Sequence, residues 1–172
     1  MKKLNVHQVA FLLILTIIIP SCEKDEVTDE IVKDPILLAK LYSDSVDTLF
    51  LNSNEYILET YLYRDFMPSI PPAKNRPTIA VVFLINCDSL TIPVNLQVEK
   101  LYIINNELIW ISTPKNNNPS GYPDFKLHLV SYGKGPTWGP NISVDVVLQL
   151  IDNSYHKEYF IIAKNQPIGA VY

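Results

Sequence analysis

The strongest structural signal in the chain lies in residues 142–151, which read ISVDVVLQLI. Alternate positions of this stretch carry aliphatic side chains, namely Ile142, Val144, Val146, Leu148 and Leu150. Ser143, Asp145 and Gln149 lie between them. Because successive side chains of a strand point to opposite faces, this alternation predicts a β-strand with one face buried in a core.

Other stretches on both sides also favour strands. Residues 56–66 are rich in Tyr and Thr, and residues 78–85 form the short continuous apolar run typical of a central strand buried on both faces. Residues 101–104 and 108–111 flank Asn105-Asn106, and asparagine tolerates the positive φ of a two-residue hairpin turn. The remaining predicted strands are residues 45–51, 125–129, 155–163 and a short final edge at 168–171.

About seven to nine short strands are therefore predicted, separated by turn signals. Helical spacing is nearly absent outside the N-terminus, and only residues 36–42 could form a short helix or, alternatively, the first strand. This spacing predicts an all-β domain, specifically an immunoglobulin-like or fibronectin-III-like β-sandwich, with a jelly roll as the alternative.

The N-terminus has the layout of a secretory signal. Lys2 and Lys3 precede an apolar run over residues 9–19 that ends at Pro20, short of the roughly 20 residues needed to span a membrane. Ile19-Pro20-Ser21-Cys22 resembles a lipobox, although Pro20 departs from the commoner small residue. We therefore expect residues 1–21 to be cleaved and Cys22 to carry two acyl chains, which suffice for stable anchoring.

The segment after the lipidated cysteine is strongly charged. It opens with Glu23, Lys24, Asp25 and Glu26, and acidic residues continue to Asp34. We interpret residues 22–34 as the lipidated cysteine and an acidic tether, and residues 35–172 as a single β-sandwich domain. The charges favour display on the outer face of the outer membrane. One alternative is that the protein lies on the periplasmic face. The other is that the charges only keep a linker solvated.

The charge balance excludes one class of partner. Without Lys2 and Lys3 the mature chain has 14 − 2 = 12 basic and 18 acidic residues, a side-chain charge of 12 − 18 = −6. Six acids and two bases fall in residues 23–34, which leaves −2 for residues 35–172. Since no basic cluster is available to neutralise phosphates, we expect no nucleic-acid binding.

Motifs for catalysis are scarce. His7 lies in the signal, and His128 and His156 do not form a pair at metal-ligand spacing. Cys87 has no partner once Cys22 is acylated, and neither a nucleophile elbow nor a phosphate-binding loop occurs. We predict no enzyme activity, no metal and no cofactor, although a pair of carboxylates can meet in the fold alone.

Two places could bind a ligand. The Gly/Pro-rich segment 132–140 carries Tyr132 and Trp138, which would suit stacking on a sugar ring or anchoring a protein partner. The alternative is that Trp138 folds back and caps the sandwich. Arg64 and Asp65, beside two tyrosines, are the second candidate, and their alternative is a cross-strand ion pair.

Several of these pieces resemble surface lipoproteins of Bacteroidetes. The resemblance rests on Leu58, Tyr61, Arg64-Asp65-Phe66-Met67-Pro68, Pro71-Pro72, Gly135-Pro136-Thr137-Trp138-Gly139-Pro140 and Val144-Asp145-Val146-Val147. It covers most of the mature domain, but its motifs are loop and strand pieces. The resemblance implies an exported immunoglobulin-like β domain and no particular activity.

Three classes of function follow from the sequence. The first is a lipid-anchored surface binding or accessory module for a glycan or protein partner. The second is a structural or assembly subunit of an envelope complex, which would use a sheet edge. The third is a hydrolase of unknown class.

Overall fold

A computed structural model describes residues 29–69 and 75–172. The predicted signal, Cys22 and Glu23 to Glu26 lie outside these residues. Within them the chain forms one helix, α1 (Pro35–Asp44), and eleven strands. The strands are β1 (Glu30–Val32), β2 (Ser45–Val46), β3 (Leu49–Leu51), β4 (Asn54–Asp65), β5 (Thr78–Asn86), β6 (Leu96–Asn105), β7 (Leu108–Ser112), β8 (Lys115–Asn116), β9 (Lys126–Ser131), β10 (Ile142–Asp152) and β11 (Lys157–Val171).

All eleven strands belong to one mixed sheet, so the predicted all-β class is confirmed. The strand order is β1-β7-β6-β10-β11-β4-β5-β9-β8, with β2 added to β11 and β3 to β4. Strand β11 runs parallel to β4 and β2, and the other neighbours are antiparallel. The β11–β4 pairing joins two halves of the sheet. One half contains β10 and the other contains β5.

The sheet curls until its two ends approach each other. Strands β7 and β9 lie near opposite ends of the strand order, yet Ser112 Oγ and Ser131 Oγ are 2.8 Å apart in a buried hydrogen bond. The inner side chains of both halves therefore share one core. Trp110 on β7 and Leu129 on β9 belong to the same buried cluster.

Strand β10 supplies the centre of this core, as its alternation predicts. Val144, Val146, Leu148 and Leu150 are buried in the main cluster, and Ile142 packs against it. Strands β6 and β11 border β10 on its two sides. The opposite face of β10 is covered too, because Val147 lies in a second apolar cluster and Gln149 accepts a 2.8 Å hydrogen bond from Tyr102 Oη.

Helix α1 covers that second face. Asp34 caps its N-terminus through Oδ1, which accepts from the amides of Ile36 and Leu37. Leu41 is fully buried against side chains of β6, β7, β10 and β11. Near its C-terminus, Tyr42 Oη donates to Asp145 at 2.8 Å, and burial with this hydrogen bond raises the pKa of Tyr42 to about 12. Of the two alternatives for residues 36–42, the helix is confirmed.

The other half of the sheet has no such cover among the described residues. Ala80, Val82 and Leu84 on the inner side of β5 are fully buried, as expected. The outward side chains of the same strand, Ile79, Val81, Phe83 and Ile85, are only half-buried. The prediction that this strand is buried on both faces is therefore wrong, because α1 packs on the other half of the sheet.

Three further predictions change in detail. Residues 30–34 belong to the domain and not to a tether, because β1 pairs with β7 and Asp34 caps α1. The predicted hairpin forms, but its two-residue turn is Asn106-Glu107, since Asn105 is paired with Leu108. Residues 168–171 are not an edge: they continue β11 and pair with β4 in the interior of the sheet.

Candidate binding face

The segment 132–140, the first of the two predicted binding places, packs against the core as a loop. Trp138 is half-buried and packs against the main cluster, and its carbonyl accepts a 3.0 Å hydrogen bond from Thr78 Oγ1. The amide of Thr78 donates to the carbonyl of Pro136 at 2.7 Å. These contacts match the capping alternative for Trp138.

The glycines of this loop serve close packing. A Cβ at Gly135 would lie 2.6 Å from the carbonyl oxygen of Thr78 and 2.8 Å from the Trp110 ring. A Cβ at Gly139, whose φ is +75°, would lie 2.6 Å from Ile168 Cγ2. Both positions therefore require glycine so that the loop can approach the core.

We expect Trp138→Ala to act on stability rather than on binding. Truncating an aromatic side chain that is half-buried against the core should cost about 2 kcal/mol of the free energy of unfolding, somewhat below the cost at a fully buried site. Chemical denaturation of mutant and wild type measures this change. An unchanged midpoint with weakened ligand affinity would contradict the capping role.

Arg64 and Asp65 are occupied by contacts within the protein. Arg64 Nε donates to the carbonyl of Arg76 at 2.8 Å and Nη1 to that of Gly139 at 2.7 Å. Asp65 Oδ1 accepts from the amide of Met67 at 2.8 Å. The cross-strand neighbour of Arg64 is Thr78, so the proposed cross-strand ion pair is not formed between described residues. These contacts give Arg64 a structural role in joining loops.

A different feature stands out on the uncovered half of the sheet. Strands β4, β5 and β9 present an outward surface on which aromatic side chains gather. We call it the aromatic face and define it by Tyr61, Tyr63, Phe83, Tyr122 and His128. Tyr122 lies in the loop before β9, and the others lie on strands. The sequence pattern does not indicate this combination, because its members come from separate segments of the chain.

Strand register places these rings side by side. Glu59, Phe83 and His128 form one row across β4, β5 and β9, and Tyr61, Val81 and Val130 form the next. The ring centroids of Phe83 and His128 are 4.9 Å apart, those of Tyr122 and His128 are 6.1 Å apart, and those of Tyr61 and Tyr63 are 5.1 Å apart. Neighbouring strands are about 4.8 Å apart, so the rows place two groups of rings on one surface, with the aliphatic side chains of Val81 and Val130 beside them.

The face has little net charge. Lys126 Nζ lies 4.2 Å from the Phe83 ring centroid and 3.2 Å from a carboxylate oxygen of Glu59. This ion pair is partly exposed, so it contributes little stability, but it neutralises both charges at this surface. Burial raises the pKa of Tyr63, and the nearby Asp65 carboxylate and Tyr61 raise it further. Its hydroxyl is therefore a hydrogen-bond donor at neutral pH.

The tyrosines of the face add polar groups to its apolar rings. Those of Tyr61, Tyr63 and Tyr122 form no hydrogen bond with another residue of the described ranges. Tyr61 is 56% exposed. The face thus offers flat apolar rings together with polar groups at their edges, a combination enriched at recognition surfaces.

Two features of the described residues concern metal binding and thiol chemistry. No group of three or more His, Cys, Asp or Glu residues in residues 29–69 and 75–172 could hold a metal ion. The thiol of Cys87 has a raised pKa, because of partial burial and the nearby carboxylates of Glu55, Asp88 and Glu59. A raised pKa lowers the thiolate fraction on which cysteine chemistry depends.

Comparisons with known proteins give no match to a family model, a curated protein or a solved structure. Of the helical segments in the described part of the chain, none has the length and apolarity needed to cross a membrane.

Proposed function

We propose that this chain is a lipid-anchored surface protein that binds a glycan on its aromatic face. The observation that carries the proposal is the outer side of β4, β5 and β9, which no helix of the described residues covers. Rings gather there in two groups, Tyr61 with Tyr63, and Phe83 and Tyr122 with His128, at centroid distances of 4.9 to 6.1 Å. A folded domain otherwise covers or breaks up apolar surface of this kind, so an exposed aromatic patch marks a site of interaction.

A glycan fits the chemistry of this face. The C–H side of a sugar ring packs on an aromatic ring, while its hydroxyls need partners at the ring edge. Tyr61, Tyr63 and Tyr122 provide both groups. The Glu59–Lys126 pair leaves the surface close to neutral, which avoids a large desolvation cost when a neutral polymer binds.

A protein partner is the second candidate for the same surface. The half-buried aliphatic side chains Ile57, Ile79, Val81 and Ile85 lie among the rings and would suit a protein contact better than a sugar. Recovery of one stoichiometric protein partner, with no oligosaccharide bound, would favour this candidate.

The anchor proposed at Cys22 limits how far the domain stands from the membrane. Eight residue steps connect Cys22 to Glu30, the first residue of β1, so the connection spans at most about 30 Å. We place the protein at the outer membrane facing the exterior, as the charged segment after Cys22 suggests. The domain would then meet glycans near the cell surface.

Cys22→Ala should abolish membrane retention. The anchor and the core are separate in sequence, so the domain should still fold and melt like the wild type. Detergent-phase partitioning of the exported mutant measures retention. Partitioning unchanged from the wild type would contradict lipidation at Cys22.

We also propose that the fold is a variant of the immunoglobulin-like sandwich. The halves that contain β10 and β5 enclose one core between their inner faces, as two layers of a sandwich would. The parallel β11–β4 pairing, which makes the sheet continuous, is the departure from that plan. An experimental structure in which the β11–β4 pairing is absent would support two separate layers.

The glycan proposal is tested with an array of neutral and acidic oligosaccharides. The array is probed with the mature chain, residues 22–172, carrying Cys22→Ser so that no lipid is attached. We expect retention of at least one class of oligosaccharide. Absence of binding to every glycan on a broad array would contradict the proposal.

A further inference from the structure

A second site lies where the two ends of the curled sheet meet. We call it the seam cleft and define it by Asp29, Ser112, Lys115, Ser131, Tyr132 and Lys134. Its volume is about 290 Å³, near the lower end of the range of small-ligand pockets, so it is large enough for one small polar group. The hydrogen-bonded pair Ser112 and Ser131 lies at the junction.

We propose that the seam cleft binds a carboxylate-bearing sugar, a uronic acid or a similar acidic saccharide residue. The inference rests on the proposed glycan function, and it specifies that one sugar residue of the bound glycan carries a negative charge.

Tyr132 provides the apolar wall. Tyr132 is 58% exposed, and Lys115 Nζ lies 5.7 Å from the centroid of its ring. Tyr132 directly follows Ser131, the last residue of β9, whose outward side carries His128 and Val130. The distance along β9 from His128 to Tyr132 is roughly 13 Å. A saccharide on the aromatic face can therefore continue into the cleft.

The charges of the cleft favour a single negative charge on the ligand. Lys115 and Lys134 form none of the four ion pairs between described residues, whereas Asp29 contributes one negative charge. The sum of +1 matches one carboxylate. A dianionic phosphate would be less well matched, because its two negative charges exceed the net charge of +1.

Asp29 also requires a hydrogen-bond donor. Its Oδ1 atom is buried and has no hydrogen-bond partner within the described ranges. Leaving a buried acceptor unsatisfied costs free energy, and a donor from the ligand removes that cost once a small movement of the cleft wall exposes Oδ1. Sugar hydroxyls are such donors, whereas a simple carboxylate ion has none. The Lys pair, the Asp29 acceptor and the Tyr132 ring thus each match one part of an acidic sugar.

The test compares ligands that differ only in charge. Hexamers of several uronic acids and their neutral methyl esters are titrated calorimetrically into the mature Cys22→Ser chain at 0.15 M salt. We expect at least one acid to bind about tenfold more tightly than its ester. Lys115→Gln with Lys134→Gln should abolish this preference, and the matched surface variant Lys157→Gln should keep it.

The outcomes separate the two proposals. Equal binding of acid and ester, binding by none of the uronates, or a preference that survives the double lysine change would overturn the acidic-sugar assignment. Neutral oligosaccharides that bind through Tyr61 and Tyr63 would still support the glycan function in those cases. The proposed function is overturned instead if changes in the aromatic face weaken the binding of neither acidic nor neutral glycans.

Discussion

Val146→Asp should leave the chain unable to fold. Val146 is 0% exposed and lies on β10 between Ile103 of β6 and Ala163 of β11. A carboxylate at this position has no partner, and burying it unpaired costs several kcal/mol. Since the whole domain is stable by only about 5 to 15 kcal/mol, most of the folded population should be lost. Thermal melting followed by circular dichroism measures the effect.

Ser143→Asp is the matched control for this change. Ser143 lies three residues earlier on the same strand and is exposed, so the same new charge remains solvated there. We expect a cooperative melt close to that of the wild type. A cooperative melt of Val146→Asp within a few degrees of the wild type would contradict the placement of this face in the core.

Loss of two rings from the aromatic face should weaken glycan binding at least tenfold. Tyr61→Ala with Tyr63→Ala removes a ring pair at 5.1 Å from the outward side of β4. Each aromatic contact at the centre of a binding surface contributes on the order of 1 to 2 kcal/mol. Because both side chains point away from the core, the melting temperature should fall only slightly. Affinity is measured by calorimetry with the best ligand of the array.

Tyr155→Ala is the control for this pair. Tyr155 is more exposed than Tyr61, at 72% against 56%, but it lies at the turn between β10 and β11 and away from the aromatic face. Its affinity should equal that of the wild type. Equal affinity for the Tyr61 and Tyr63 double variant would show that the glycan binds elsewhere.

The core of the domain was predictable because its signal is local. The alternation over residues 142–151 identified Val144, Val146, Leu148 and Leu150 as one buried face, and asparagine before Leu108 identified the hairpin. The parallel pairing of β11 with β4 was not predictable, because it joins residues about 100 positions apart and leaves no short-range pattern. The predicted tether ended too late for a similar reason: β1 pairs with residues of β7 that are 77 to 81 positions away in the sequence.

The aromatic face could not be predicted, because periodicity does not indicate what covers a surface. The apolar run of residues 78–85 indicated two buried faces, yet Phe83 is half exposed since α1 packs over β10 and not over β5. His128 appeared isolated in the sequence, whereas register brings it beside Phe83. Tyr132 was predicted as a candidate binding residue because it lies in the Gly/Pro-rich segment 132–140. Its companions Asp29 and Lys115 come from distant segments.

The most direct test of the account is a nuclear magnetic resonance titration that maps bound oligosaccharide onto the protein. The mature Cys22→Ser chain, labelled with nitrogen-15 and with carbon-13 in its aromatic rings, is titrated with the best ligand of the array. We expect the largest shifts at Tyr61, Tyr63, Phe83, Tyr122 and His128, while the amides of α1 stay unchanged. Shifts confined to α1 and the β10–β11 turn, with the five rings unaffected, would contradict it.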